Sequence, residues 1–198
     1  MSHPTFDPET FTITTSDGTL LLRPVRLSDA PNLRNRVANP HNVRYLPHLQ
    51  GKESQTVAQV EDWIRTVQSA FNRDSLFLVI VDTITQKVIG EGPLGFINWT
   101  ERWAESGVML DYEECGKGVA SKVLNTAMDF AFKDLELSEV KYGTLQDNVA
   151  MVKVLNEKLR VKGKGEEKVR KDGLVELNFV FKKDDWLKAM EQKSWAEK

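Results

Sequence analysis

A short segment between an apolar run and an amphipathic helix has residue types suited to holding a phosphate group. The run ends at Leu110, glycines follow at Gly116 and Gly118, and apolar residues at helical spacing begin directly afterwards. The first N–H groups of a helix have no partners inside the helix, and the helix dipole favours negative charge there. The segment therefore predicts an anion site, whose members are Cys115, Gly116, Lys117, Gly118, Val119, Ala120 and Ser121.

Two widespread phosphate-binding motifs do not match this segment. A Walker A loop needs four residues between its two glycines, the second of which is followed by Lys-Ser/Thr, and this pattern is absent. The dinucleotide fingerprint needs a glycine or alanine three positions after Gly118, where Ser121 stands, and it belongs early in a βαβ unit. On these residues alone, a phosphate loop and a tight strand-to-helix turn both stay open.

The elements that position this segment follow from hydrophobic periodicity and turn residues. Strands are predicted for 19–26, 76–81, 88–99, 104–110, 140–145 and a C-terminal hairpin turning at 171–173. Helices are predicted for 28–37, 53–71, 118–133, 148–160 and 184–193. A three-strand meander followed by helix crossovers indicates an α/β (α+β) fold, with a mixed sheet of six or seven strands and flanking helices.

Composition narrows the classes of protein and partner. The 198 residues are 40% hydrophobic and 28% charged, which is typical of one globular domain. A formal net charge of -2 gives no electrostatic reason to expect nucleic acid or membrane as partners. The N-terminus lacks a signal-peptide pattern, and the longest apolar run is too short to cross a bilayer. With Cys115 as the single cysteine, we expect a cytoplasmic protein, and three histidines without metal spacing predict no metal.

Several segments in order resemble the GNAT acetyltransferases. The run Cys115-Gly116-Lys117-Gly118-Val119-Ala120 resembles their pyrophosphate loop, with Gly118 and Ala120 in its two small positions and Cys115 in place of Gln or Arg. Further segments resemble the branch of ribosomal-protein alanine N-acetyltransferases (RimJ/RimL-like): Leu22-Arg23-Pro24 with Leu27-Ser28-Asp29, 104–110, Asp147-Asn148 with 154–159, and Lys183-Asp184-Asp185-Trp186. The resemblance runs over a core of about 19–186 in one domain of 1–198, with an N-terminal extension 1–18 and a C-terminal helix 184–198.

The resemblance implies a binding site for acetyl-coenzyme A (acetyl-CoA). Strands 104–110 and 140–145 would splay into a V that holds the pantetheine arm, with the diphosphate on the 115–121 loop. Backbone N–H groups of Val108, Met109 and Leu110 would polarise the thioester carbonyl. Asn148 would bind the pantetheine arm, although an N-cap of the following helix is the alternative. Met151 lies on the same wall, where the family pattern has a serine that reprotonates the leaving thiolate.

The implied reaction is direct transfer of an acetyl group from acetyl-CoA to a primary amine, by an N-acetyltransferase that acts as a monomer or homodimer. Glu105 is the candidate general base, and a solvated or ion-paired strand carboxylate is the alternative. Glu91 is a second candidate. Because Met151 has no proton to donate, Tyr112, Tyr142 or water are the remaining donors, and a non-catalytic acyl-CoA-binding module is the rival hypothesis.

The acceptor would be a small-molecule or peptide amine. Asn98, Trp99 and Trp103 lie around a predicted strand–strand connection and are candidates to line an acceptor groove. Burial of the two tryptophans against the N-terminal segment is the alternative interpretation.

Overall fold

The computed structural model describes residues 3–196, with side chains through Glu191. Within that range the strands form one sheet: β1 (Ile13–Thr14), β2 (Leu20–Pro24), β3 (Leu76–Asp82), β4 (Val88–Asn98), β5 (Trp103–Ser106), β6 (Met109–Leu110), β7 (Glu139–Leu145), β8 (Glu166–Val169) and β9 (Val175–Lys182). They lie in the order β1-β2-β3-β4-β5-β7-β9-β8, and β6 pairs with β4. The pairing of β5 with β7 is parallel and the other pairings are antiparallel, which confirms the predicted mixed sheet.

The described sheet has nine strands instead of the expected six or seven, for two local reasons. The predicted strand 104–110 is interrupted at Gly107 and Val108 and so counts as β5 and β6. In addition, β1 pairs with β2 across a turn in which Asp17 accepts hydrogen bonds from Thr15 and Thr19. An aspartate that bonds its own turn in this way favours a tight reversal, which is why so short a strand forms.

Six helices complete the described part of the chain: α1 (Ala30–Ala38), α2 (Pro40–Val43), α3 (Val57–Ala70), α4 (Val119–Lys133), α5 (Val149–Lys153) and α6 (Lys183–Ala196). Helix α3 begins four residues later than predicted because Thr56 and Gln59 form a capping box. The helix predicted for 148–160 is observed as α5 followed by a π-helical turn at Val154–Lys158. None of the helices in residues 3–196 is both long and apolar enough to cross a membrane.

Helices cover the two faces of the sheet unequally. Helices α4 and α6 pack on one face, where Ala104 and Val140 are buried together with Trp186. Helices α1 and α3 pack on the other face, over Val79 and Val81 of β3. On this second face, the strands that follow β4 in the sheet carry exposed side chains. The region where β5 and β7 meet is therefore covered by helices on one face only.

The N-terminal segment packs along the face covered by α4. Phe6 and Phe11 lie against each other and against Phe130 of α4, and Phe11 also approaches Phe71. Aromatic pairs of this kind bury large apolar areas, so the segment before the first strand is held onto the domain. The ends of the predicted extension and of the C-terminal helix, residues 1–2 and 197–198, lie outside the described residues.

Candidate active site

Strands β5 and β7 run together for three residue pairs and then separate. The last pair is Glu105 with Lys141. Past this point β6 stays paired with β4, whereas the rest of β7 stays paired with β9. The two strands therefore form a V, and its vertex lies next to Ser106 on β5 and Tyr142 on β7.

A close contact between two glycines accompanies the break in the 104–110 strand. A Cβ at Gly92 would collide with the Gly107 carbonyl oxygen, so β4 and the β5–β6 junction approach each other as only glycine allows. The N–H of Gly107 donates to the Pro93 carbonyl across this contact. Within the described residues, nothing accepts a hydrogen bond from the next N–H, that of Val108. One wall of the V thus offers a free donor where a carbonyl oxygen of a ligand could be held.

The glycine segment after β6 folds into an open loop that ends at α4. Gly116 and Gly118 have φ angles of 79° and 81°, a left-handed conformation that residues with side chains rarely adopt. Gly118 is the N-cap of α4 and provides no side-chain cap. Among the described residues, no acceptor is present for the backbone N–H groups of residues 116–121. A row of unpartnered amides at the start of a fifteen-residue helix is suited to binding an anion such as a diphosphate.

The polar side chains of this loop are engaged locally. Lys117 Nζ lies 3.2 Å from a carboxylate oxygen of Glu114, and Ser121 Oγ donates to the Gly118 carbonyl. Cys115 is exposed, yet desolvation and the neighbouring carboxylates of Glu113, Glu114 and Asp111 raise the pKa of its thiol. The thiol therefore stays protonated at neutral pH, which makes Cys115 a poor nucleophile.

A buried arginine, which was not among the predicted site residues, joins α1 to β4 and to the segment that leads into the glycine loop. Arg36 is 2% exposed, and its Nη1 lies 3.0 Å from Glu91 of β4. Its Nε lies 2.8 Å from Asp111, which leads into the glycine loop. Asn32 and the Val88 carbonyl accept its remaining hydrogen bonds. The sequence carries one indication that this arginine is buried: it lies next to Val37, on the apolar face of the helix that includes Leu33. Helical spacing alone does not reveal which carboxylates it contacts.

Two carboxylates flank the break between β5 and β6 on the same face of the sheet. Glu91 contacts Arg36 and is paired with Val79, so it lies on the face covered by α1 and α3. Burial raises the pKa of Glu91, and the Arg36 charge opposes that rise. Glu105 points to this face as well, because its neighbour Ala104 is buried against α4. The Glu105 side chain is exposed and makes no ion pair or hydrogen bond with a described residue.

The second wall of the V carries Asn148 and Met151 at the start of α5. The Asn148 side chain accepts from the Met151 N–H at 3.3 Å, as an N-cap does, and its Nδ2 donates to Thr144 at 3.2 Å. One amide proton of Asn148 remains for a ligand, so capping and ligand binding are compatible. Met151 is partly buried against the core cluster that contains Tyr142, and its thioether provides no proton.

The predicted acceptor residues are not brought together in one groove. Trp99 packs towards the α4 side, where His3 stacks on it at 4.5 Å and its Nε1 donates to the Arg73 carbonyl. Trp103 lies on the opposite face, beneath Lys141, whose Nζ is 3.9 Å from the ring centroid. Asn98 accepts a hydrogen bond from the Glu101 N–H and shapes the turn between the two tryptophans.

Two cavities border these elements. One of about 530 Å³ runs along the outer side of α4, from Ser121 to Asp134, between residues 13–17 and 158–160. A smaller one of about 60 Å³ lies between α1, α3 and the segment that joins α2 to α3, with Glu91 in its wall. No group of three or more potential metal ligands is found in the part of the chain that the structure describes.

Residues 19–159, well over half of the chain, match the family model described as an acetyltransferase (GNAT) domain. The chain belongs to the GNAT acetyltransferase family. The suspected family and the N-acyltransferase activity that it implies are thereby confirmed.

Named relatives agree with this membership. The GNAT chain is 28% identical over 139 residues to the uncharacterized N-acetyltransferase p20 of Bacillus licheniformis, covering 69% of this chain and 76% of that protein. Its structure is similar to a ribosomal-protein-S5-alanine acetyltransferase from Vibrio fischeri, at 19% identity and a TM-score of 0.72, over 94% of this chain and 99% of that one. It is also similar to a spermidine N-acetyltransferase from Vibrio cholerae, in complex with CoA and spermine, at 20% identity and a TM-score of 0.69, over 85% and 98%. At sequence identities of 19% and 20%, the structural similarity shows a common fold and does not indicate the acceptor.

Proposed function

We propose that this GNAT chain transfers the acetyl group of acetyl-CoA to a primary amine by direct attack in a ternary complex. The observation that carries the proposal is the V between β5 and β7, which has unpartnered amides at both places where the resemblance needs them. The Val108 N–H would bind the thioester carbonyl and the amides of residues 116–121 would bind the diphosphate, since none of these N–H groups has an acceptor among the described residues. Asn148, with one free amide proton, would hold the pantetheine arm from the second wall.

Glu105 is the proposed general base. It lies one residue before the vertex of the V, is exposed, and can pass a proton from the amine to solvent. Glu91 is the alternative, because its raised pKa brings it closer to neutral pH and because it lines a cavity on the same face. To decide which glutamate is the base, the rate of thiol release from acetyl-CoA is compared for Glu105→Gln and Glu91→Gln over a panel of amines. A loss of turnover confined to Glu91→Gln would remove Glu105 from the mechanism.

The acceptor is proposed to be a small-molecule or peptide amine. The two similar enzymes named above are called after a ribosomal protein and a polyamine, and the fold alone does not choose between such acceptors. Trp103, half-exposed on the open face of the sheet, stays a candidate acceptor contact, whereas Trp99 is occupied by His3. A cytoplasmic location is proposed from the single exposed cysteine, which suits a reducing compartment.

Thermal unfolding with and without acetyl-CoA tests the cofactor assignment. A ligand at a hundredfold excess over its Kd stabilises the folded state by about 2.7 kcal/mol. For a domain of this size, that corresponds to a rise in Tm of roughly 5–11 °C. Gly118→Glu should abolish the shift, because it places a carboxylate at the proposed diphosphate position.

Gly173→Glu is the matched control for this experiment. Gly173 has a φ angle of 82°, against 81° at Gly118, and a Cβ at either position meets no atom within 4 Å. Both variants therefore strain the backbone equally, but Gly173 lies in the hairpin turn between β8 and β9. If Gly173→Glu keeps the shift and Gly118→Glu loses it, the assignment stands. Absence of any shift in the folded wild type would refute it.

Met151 favours one rival, an acyl-CoA-binding protein that has kept the fold without the reaction. A thioether at this position removes the proton donor that the family resemblance leads us to expect. Binding of acetyl-CoA without thiol release above the rate in buffer, over a broad amine panel, would favour this rival.

A further inference from the structure

The hydroxyl group of Tyr142 is buried at the vertex of the V and has no hydrogen-bond partner among the described residues. The residue is 3% exposed, and its phenol oxygen bonds to no described residue. Buried polar side-chain atoms are nearly always hydrogen-bonded, so an exception at the meeting point of two diverging strands needs an explanation. The tyrosine ring itself is held firmly, in edge-to-face contact with Phe181 at 5.7 Å.

The position of Tyr142 relative to β5 is set by strand register. Tyr142 and Ser106 are the first residues past the last β5–β7 pair, Glu105 with Lys141. The Ser106 hydroxyl donates to the Pro93 carbonyl, so its proton is committed to β4. Burial raises the pKa of Tyr142, and the nearby Ser106 hydroxyl opposes that rise, although the two hydroxyl groups do not reach hydrogen-bond geometry. The phenol therefore keeps its proton at neutral pH and has it available to donate.

The residue that stands in place of the expected proton donor, Met151, packs against the core cluster that contains Tyr142. Val108 and Met151, one from each wall of the V, both pack against the cluster that contains Tyr142. Met151 stands where the family resemblance leads us to expect a hydroxyl. Met151 thus provides no hydroxyl, while Tyr142 of β7, in the cluster against which Met151 packs, has a hydroxyl that bonds to no described residue.

We propose that the Tyr142 hydroxyl donates a hydrogen bond to the sulfur of the acetyl-CoA thioester, in place of the hydroxyl absent at Met151. The inference rests on the proposed acetyl transfer. The flexible thioether of Met151 moves aside to admit the sulfur. The amine nitrogen then bonds to the carbonyl carbon, the carbon–sulfur bond breaks with its electron pair going to sulfur, and the proton lost by nitrogen goes to the proposed base.

Tyr142 stabilises the departing thiolate without giving up its own proton. A phenol is a weaker acid than a thiol, and burial widens the difference, so complete proton transfer to the sulfur is unfavourable. The thiolate is protonated by solvent after the step. Tyr142 acts through a hydrogen bond that strengthens as charge develops on the sulfur, which is the kind of interaction that raises kcat.

Tyr142→Phe tests the proposal because it removes the hydroxyl alone. Without CoA, we expect the variant to unfold at the wild-type Tm or slightly above it, because the substitution removes a buried hydroxyl that stabilises nothing in the free protein. With an accepted amine, kcat for thiol release should fall about a hundredfold while KM for acetyl-CoA changes little. The thiol of bound CoA, titrated through the absorbance of its thiolate, should have a higher pKa in the variant than in the wild type.

Tyr142→Phe combined with Met151→Ser provides the rescue. A serine at 151 restores the expected donor, so the double variant should regain most of the lost kcat and lower the pKa of the bound thiol again. A Tm of Tyr142→Phe several degrees below wild type would show that the hydroxyl is satisfied in the free protein and would overturn the proposal. Unchanged kcat and thiol pKa in a variant that binds CoA would overturn this inference alone. A wild type that does not bind CoA would overturn the proposed function, and this inference with it.

Discussion

Replacing Arg36 with methionine should destabilise the fold through the two carboxylates that it leaves behind. Arg36 Nη1 lies 3.0 Å from Glu91 and its Nε lies 2.8 Å from Asp111, while the arginine side chain is completely buried. Methionine has a similar length and fills the apolar space, so packing is largely kept. The Glu91 carboxylate, 12% exposed, then has no counter-charge. Removing one partner of a buried ion pair costs about 3–5 kcal/mol, and we expect a loss of unfolding free energy of that size near pH 8.

The loss should depend on pH in a defined direction. In the wild type, burial raises the pKa of Glu91 and Arg36 holds it down, so Arg36→Met raises this pKa further. A carboxyl group whose pKa is raised on folding stabilises the folded state fully below its unfolded pKa, and this contribution is lost as pH rises through the folded pKa. The penalty of Arg36→Met should therefore shrink on acidification, by about 1.4 kcal/mol for each unit that separates the Glu91 pKa in variant and wild type.

Urea unfolding followed by circular dichroism at pH 5 and pH 8 measures both effects. Arg36→Met combined with Glu91→Gln is the control, because it removes the stranded charge and should recover part of the stability while losing most of the pH dependence. The coupling between the two substitutions gives the strength of the pair. A loss below about 1 kcal/mol at pH 8 that is equal at pH 5 would refute the reasoning.

Two further predictions concern the C-terminal helix and the glycine loop. Trp186→Phe removes a 2.8 Å hydrogen bond from Nε1 to Asp129 at a fully buried position. The unfolding free energy measured in urea should fall by about 1–3 kcal/mol. A change within experimental error would contradict a stabilising role of this hydrogen bond. Cys115 should react slowly with iodoacetamide near pH 8, because partial desolvation and adjacent carboxylates raise the pKa of its thiol, and saturating CoA should slow the reaction further. An alkylation rate that CoA leaves unchanged would count against a diphosphate in this loop.

Much of the fold could be predicted from sequence because its signals are local. The apolar spacing in α4 and the turn at residues 171–173 each depend on residues a few positions apart, and both elements appear within a residue or two of their predicted ends. The start of α3 was misplaced by four residues, since the flanking polar residues do not show which of them caps the helix. Thr56 and Gln59 satisfy the first-turn donors, and that choice sets the boundary.

The order of the segments and the glycine loop, read together, were enough to determine the family and the class of reaction. A helix N-terminus with two small residues is suited to binding an anion through its backbone, so this hypothesis needs no tertiary information. The candidate loop residues are contiguous in the chain, and the structure describes them as one open loop before α4.

Only the tertiary structure decided which distant side chains meet. Arg36, Glu91 and Asp111 come from α1, β4 and the loop after β6, and their contact depends on how a helix lies across the sheet. The same holds for Trp99 and Trp103, which are four residues apart but lie on opposite faces because the strands turn between them. The hydroxyl of Tyr142, which bonds to no described residue, lies where β5 and β7 part. Periodicity reports which face of its own element a residue occupies, whereas charge pairing and desolvation depend on the neighbours that folding brings to that face.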